Sequence, residues 1–158
     1  MEMISNEEKI TQAVLVSVDT GDYDAEASLA ELKELVKSAG AEPVFTVTQN
    51  LKRPETGTYV GTGKLQEIAD ICKQQEIDLL VFDCELSPTQ IRNIEAETDT
   101  RTIDRTMLIL DIFALRARSK EGKLQVELAQ LKYLMPRLTG KGVAMSRLGG
   151  GIGTRGPG

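Results

Sequence analysis

Apolar and polar positions follow two different patterns over the first hundred residues. Short runs rich in β-branched and apolar residues predict strands at residues 12–18, 43–48, 77–82 and 100–103. Between these runs, apolar residues recur every three or four positions, which predicts helices over residues 27–39, 65–72 and 87–97. The chain therefore alternates between strands and helices.

This alternation predicts an α/β domain over residues 1–104, with a mostly parallel sheet and right-handed crossover helices. The run 77–82 is apolar almost throughout, as expected for a strand with helices on both faces. Ser87, Pro88 and Gln90 form a strong helix start, with a serine N-cap, a proline at the first helical position and a glutamine that closes a capping box.

The apolar period changes at Arg105. Helical spacing then relates two groups of residues, namely Leu108, Ile112 and Leu115, and Leu124, Leu128, Leu131, Met135 and Leu138. The spacing predicts a long antiparallel two-helix hairpin over residues 105–139, with these side chains in the seam and residues 119–122 as the connector. At about 1.5 Å per residue, a helix over 122–138 would carry the connector roughly 25 Å from its base. Alternatively, the leucines pair two copies of the chain.

Composition excludes several classes of protein. With 158 residues, of which 41% are apolar and 27% charged, the chain can bury a core of its own. It has no apolar run of about 18 residues and no signal-peptide pattern, so a cytoplasmic protein without membrane contact is expected. Histidine is absent, which excludes Ser-His-Asp and Cys-His nucleophile systems, and the two cysteines, Cys72 and Cys84, have no metal-ligand spacing, so no structural zinc site is expected.

The charge is distributed unevenly. Residues 1–104 hold 9 Lys and Arg against 21 Asp and Glu, whereas residues 105–158 hold 10 against 3, a net charge of +7. Four cations crowd the predicted connector, and they are the candidate RNA-binding residues: Arg116, Arg118, Lys120 and Lys123. A basic segment on an acidic body indicates an anionic partner, with nucleic acid as the first candidate. Docking of the acidic and basic parts on each other is the alternative.

The end of the chain is rich in glycine. Eight of the 14 glycines fall within residues 140–158, a composition that cannot form a core and that predicts a linker. Lys141, Arg147 and Arg155 in this segment are further candidates for RNA contact. A chain that stops inside such a stretch is expected to be part of a longer protein.

Two features suggest enzyme chemistry. Residues 61–64 read Gly-Thr-Gly-Lys, but the spacing and the following hydroxyl of a phosphate-binding loop are missing, so no nucleotide-binding residue is expected. Asp19 and the cluster Asp83-Cys84-Glu85 follow strands and would lie at the carboxyl edge of a parallel sheet, where α/β folds bind ligands. The alternative function is therefore a small nucleotide-binding or phosphoacceptor domain that uses these carboxylates.

Several long motifs carry a family resemblance. They are YVGTGKLQE at residues 59–67, DCELSPTQIRN at 83–93, DRTMLILDIF at 104–113, EGKLQVELAQLKY at 121–133 and SRLGGGIGTRGPG at 146–158. These motifs closely resemble the amino-terminal region of HflX-family GTPases. The resemblance covers most of the chain from about Val14, and the chain ends before the G domain of that family.

The resemblance implies a fold and a function. HflX proteins have an α/β subdomain, a long helical hairpin and a G domain, so residues 140–158 would lead toward the G domain, and GTP and Mg²⁺ would bind there rather than in this chain. The resemblance also implies binding to the large ribosomal subunit and its rRNA, and splitting or rescue of stalled ribosomes under stress, with the hairpin connector near the peptidyl transferase centre. The expected partners are thus the large subunit and the protein's own G domain, with no DNA. This fragment is expected to be non-catalytic.

Overall fold

A computed structural model describes residues 9–138 of the chain. Within this range the strands are β1 (Thr11–Asp19), β2 (Ala41–Asn50), β3 (Leu79–Phe82) and β4 (Arg101–Asp104). The helices are α1 (Ala25–Ser38), α2 (Thr62–Gln74), α3 (Pro88–Thr98), α4 (Arg105–Arg116) and α5 (Lys120–Leu134), followed by a 3₁₀ turn over Met135–Arg137. All strand pairs are parallel, which confirms the predicted α/β class with crossover helices.

The strand order β2-β1-β3-β4 determines where ligands could reach the sheet. From β1 the chain crosses to β2 on one side, and it then returns past β1 to β3 and β4 on the other side. Right-handed crossovers therefore place α1 on one face of the sheet and α2 and α3 on the other, and α4 packs against α1. The carboxyl ends of β1 and β3 flank the point at which the strand order reverses.

The core lies on both faces of the two central strands. Val14 and Leu15 of β1 and Leu80 and Phe82 of β3 are all fully buried. Strands that are covered on both faces have no polar side to show to water, which is why these runs are apolar without alternation.

The predicted helix start at Ser87 is confirmed. The Ser87 hydroxyl accepts a hydrogen bond from the Gln90 backbone N–H at 3.1 Å, and the Gln90 side-chain oxygen accepts one from the Ser87 N–H at 2.9 Å. Pro88 is the first residue of α3, where its missing N–H has no consequence. Sequence alone determines this helix boundary.

The predicted leucine seam is wrong. Leu108 and Ile112 are buried, but they belong to the same core as the sheet. Leu115 is exposed. An exposed apolar stripe runs along α5 and into the turn that follows it, and its residues are 52% to 64% accessible: Leu124, Leu128, Leu131 and Met135. One face of the sheet needs a second apolar helix beside α1, and the apolar face of α4 packs there. The stripe therefore lies exposed and not between α4 and α5.

The connector is shorter than predicted. Helix α4 ends at Arg116 and α5 begins at Lys120, with Ser119 as its N-cap and the Gly122 N–H donating to the Ser119 hydroxyl at 2.9 Å. Glu121 and Gly122 therefore lie in the first turn of the helix. The Tyr133 hydroxyl donates to Asp104 at the start of α4, so α5 returns toward the sheet. This contact supports the predicted antiparallel hairpin. The hairpin stays a prediction, and so do the domain boundaries at residues 104 and 139.

The core makes a first prediction. We expect Phe82→Ala to lower the free energy of unfolding by about 3–5 kcal/mol, because it removes a fully buried ring from a central strand. The measurement is urea unfolding followed by circular dichroism. Phe45→Ala is the matched control, since the Phe45 side chain on the edge strand β2 is 42% exposed, and it should cost less than half as much. Equal losses in both variants would contradict the placement of β3 at the centre.

Candidate functional site

Four cations surround the junction between α4 and α5. Arg116 is the last residue of α4, Arg118 lies in the connector, and Lys120 and Lys123 lie in the first turn of α5. All four side chains are exposed. We call residues 116–123 the basic turn.

These cations have no protein partner in the described part of the chain. Among residues 9–138, no ion pair or hydrogen bond engages any of the four side chains. Some other cations are paired, such as Arg105 with Asp83 and Lys64 with Glu67, whereas exposed cations such as Lys33 and Lys52 also lack an ion pair in that range. What distinguishes the basic turn among the described residues is the concentration of four unpaired cations within eight positions.

The helix dipole favours some of these cations and opposes others. Arg116 at the carboxyl end of α4 lies where the helix dipole favours a cation. Lys120 and Lys123 lie at the amino end of α5, where the dipole favours an anion such as Glu121. The dipole therefore gives no reason for the charge of these two lysines.

The structure brings Asp19 and Asp83 to the same edge of the sheet, as predicted. Asp19 is the last residue of β1, and the N–H of Asp83 donates to the Val16 carbonyl at 2.9 Å, which continues the ladder between β1 and β3. The Asp19 carboxylate accepts a hydrogen bond from the Gly21 N–H at 2.9 Å. The two carboxylates thus flank the point where the strand order reverses.

Asp83 is nevertheless closed to a ligand. Its side chain has no exposed surface, and its Oδ1 accepts a hydrogen bond from the Arg105 guanidinium at 2.6 Å. The other guanidinium nitrogen of Arg105 pairs with Glu31 of α1. A carboxylate that is buried behind an arginine is poorly placed to coordinate Mg²⁺ or to accept a phosphoryl group.

The neighbouring side chains are not activated. Burial raises the pKa of the Cys84 thiol, and it also raises the pKa of the Tyr59 hydroxyl, so both stay protonated near neutral pH. Burial likewise raises the pKa of Cys72.

Within residues 9–138, no group of three or more His, Cys, Asp or Glu side chains could hold a metal ion. No helix in that range is long and apolar enough to cross a membrane.

Sequence reasoning missed Asp104. This residue is the N-cap of α4, has no exposed surface, and accepts hydrogen bonds from the Leu86 N–H, the Met107 N–H and the Tyr133 hydroxyl. An aspartate between a strand and a helix is a readable capping signal. The contact with Tyr133 has no local signal, because 28 residues separate the two in the chain.

The remaining predicted RNA contacts stay predictions. Lys141, Arg147 and Arg155, like the predicted linker 140–158, lie outside the described residues.

Comparison with known proteins decides the family. The model of the GTP-binding GTPase N-terminal family matches residues 26–114, and the model of the GTP-binding GTPase middle region matches residues 116–158. Proteins named GTPase HflX are similar over nearly the whole chain: that of Alkalihalophilus pseudofirmus is 55% identical over 151 residues, which are 94% of this chain and 36% of that protein. The chain belongs to the HflX family of GTP-binding proteins.

Other HflX relatives agree with this assignment. The GTPase HflX of Escherichia coli is 51% identical over 148 residues, which are 93% of this chain and 34% of that protein. The chain thus spans about a third of the length of the curated HflX relatives it matches.

Solved structures support the fold of this HflX region. A GTP-binding protein from Sulfolobus solfataricus in complex with GDP has a TM-score of 0.58 and 33% identity, with 80% of this chain and 38% of that chain covered. The structure described as the SsGBP and GDP complex has a TM-score of 0.63 and 31% identity, with 87% and 40% covered.

The pair between Arg105 and Asp83 makes a second prediction. We expect Arg105→Met to lower the free energy of unfolding by about 3 kcal/mol, because it leaves a buried carboxylate without its cation. Lys37→Met is the matched control, since Lys37 and Glu34 form an exposed pair at 3.6 Å, and it should cost less than about 1 kcal/mol. Denaturant unfolding measures both variants. A loss in Arg105→Met no larger than in the control would show that Asp83 does not depend on Arg105.

Proposed function

We propose that this chain is the RNA-binding front part of an HflX-like GTPase and that the basic turn contacts rRNA of the large ribosomal subunit. The observation that carries the proposal is the concentration of four exposed cations within eight positions, none of them paired in the described residues. The membership of the HflX family supports the ribosome as the source of the RNA.

Contact with phosphate is the mechanism that fits this surface. Lysine and arginine side chains neutralise phosphates, and the released counterions favour binding without reading the sequence. Aromatic residues make up only 4% of the chain and none lies within residues 116–123, so stacking on bases has no platform there. The basic turn would therefore recognise the shape and charge of folded RNA.

The rest of the proposed activity belongs to the whole protein. GTP and Mg²⁺ would bind in a G domain outside this chain, and the full-length protein would act in splitting or rescue of stalled ribosomes in the cytoplasm. Within that protein, this region would bind the large subunit. The phosphoacceptor alternative has less support, because Asp83 is buried behind Arg105.

A charge-removal variant tests the proposal. We expect replacement of Arg116, Arg118, Lys120 and Lys123 together by alanine to weaken binding to purified large subunits. With about four phosphate contacts, the wild-type affinity should fall roughly 50- to 150-fold between 50 and 200 mM salt, and the variant should lose most of this dependence. Pelleting of the chain with large subunits at several salt concentrations measures both effects.

The control variant removes the same charge from the α/β part. Lys33, Lys37, Lys52 and Arg53 are exposed cations on α1 and on the loop after β2. Their joint replacement by alanine should leave large-subunit binding within about twofold. If both quadruple variants weaken binding equally, or if neither does, the basic turn is not the contact surface. Purified small subunits show whether binding is specific to the large subunit.

A further inference from the structure

Helix α5 packs against α4, and its carboxyl end also contacts the core of the α/β part. Within the described part of the chain, no side chain of α5 is fully buried. Leu124, Leu128 and Leu131 are exposed, whereas Tyr133 and Leu134 in the last turn pack against the core. The contacts at this end therefore attach the helix to the core as well as to α4.

A compact polar group makes these contacts. The Tyr133 hydroxyl donates to Asp104 Oδ2 at 2.5 Å, and Arg137 Nε donates to the Leu86 carbonyl at 3.0 Å. Arg137 also donates to the Tyr133 carbonyl at 3.0 Å, and its guanidinium carbon lies 3.8 Å from the centre of the Tyr133 ring. We call Asp104, Tyr133, Arg137 and the Leu86 carbonyl the clasp.

The bonds of Asp104 divide into two groups. The Leu86 and Met107 N–H groups, each at 2.9 Å, come from the loop after β3 and from the first turn of α4. These bonds remain when Tyr133 moves away, so the buried carboxylate would keep two donors. By contrast, the Tyr133 hydroxyl and Arg137 come from the end of α5 and would leave together.

We infer that the clasp fixes the direction of α5 relative to the α/β layers, and that its contacts break together while the sheet stays folded. We call this reversible attachment of α5 the latch. Opening breaks the hydrogen bond from Tyr133 to Asp104, the hydrogen bond from Arg137 to the Leu86 carbonyl, the packing of one helical turn and the contacts of the Met135–Arg137 turn with α3. It leaves no buried charge without a partner. A buried charge that would lose its partner is the usual reason that a polar cluster cannot open without wider unfolding.

The latch would also set the position of the basic turn, because Lys120 and Lys123 lie at the other end of α5. Only this consequence rests on the proposed function. The latch itself is a property of residues 86–137 and is tested without a ribosome.

Hydrogen exchange distinguishes local opening from global unfolding. In the 158-residue chain, we expect Tyr133→Phe to speed amide exchange in residues 124–134 by roughly 10- to 100-fold, because it removes one hydrogen bond to a charged acceptor and keeps the ring. Exchange in β1 and β3 should change less than twofold. Mass spectrometry of peptic fragments measures both regions.

Two further variants complete the test. Tyr23→Phe is the matched control, because the Tyr23 hydroxyl donates to the Val18 carbonyl within the α/β part, and it should leave exchange in α5 unchanged. Arg137→Met should speed exchange in α5 without affecting β1, and combining it with Tyr133→Phe should add less than the sum of the two effects, since both residues act in one cluster. Unchanged exchange in α5, or equal acceleration in β1 and β3, would overturn the latch.

A binding measurement then separates the latch from the proposed function. Tyr133→Phe should weaken large-subunit binding if the basic turn is the contact, although Tyr133 lies at the far end of α5. If exchange in α5 rises but binding is unchanged, the latch stands and its link to RNA fails. If exchange is unchanged, the latch fails whatever the binding result.

Discussion

The parallel sheet imposes the constraint from which the rest of the structure follows. Its two central strands are apolar on both faces, so both faces must be covered by helices. Helices α2 and α3 cover one face, while α1 covers only part of the other, so α4 packs beside it. Because α4 buries Leu108 and Ile112 in this core, its apolar face is no longer available to α5. The exposed apolar stripe on α5 is a direct consequence.

The same constraint separates two kinds of cation. Arg105 begins α4 at the sheet edge, where Asp83 is buried, and its charge is used within the fold. Arg116 ends the same helix, about 16 Å further along at 1.5 Å per residue, where no acidic side chain among the described residues pairs with it. One helix thus connects a cation that stabilises the core with one that faces solvent. Arg118, Lys120 and Lys123 extend that second group onto α5.

Sequence reasoning predicted the features that depend on local chemistry. The strands around Leu15 and Leu80 follow from unbroken apolar runs, and the start of α3 follows from the spacing of Ser87 and Gln90, which interact within one turn. Periodicity in the sequence does not identify the element that packs against an apolar face. The spacing of Leu124 and Leu128 shows that the face is apolar but not what covers it, which is why the predicted seam between α4 and α5 is wrong. Long-range polar pairs such as Asp104 with Tyr133 have no periodic signal at all.

Opening of the clasp and the proposed contact of the basic turn with RNA involve free energies of similar size. A hydrogen bond to a buried carboxylate contributes about 1.5–3 kcal/mol, and the hydrogen bond from Arg137 to the Leu86 carbonyl adds about 1 kcal/mol. Several phosphate contacts at the basic turn would provide a free energy of the same order or larger at low salt. A ligand shifts a two-state equilibrium only by its difference in affinity for the two states. The expected loss of binding in Tyr133→Phe thus requires RNA that fits the basic turn better with α5 docked, and by the same linkage such RNA would hold the clasp closed.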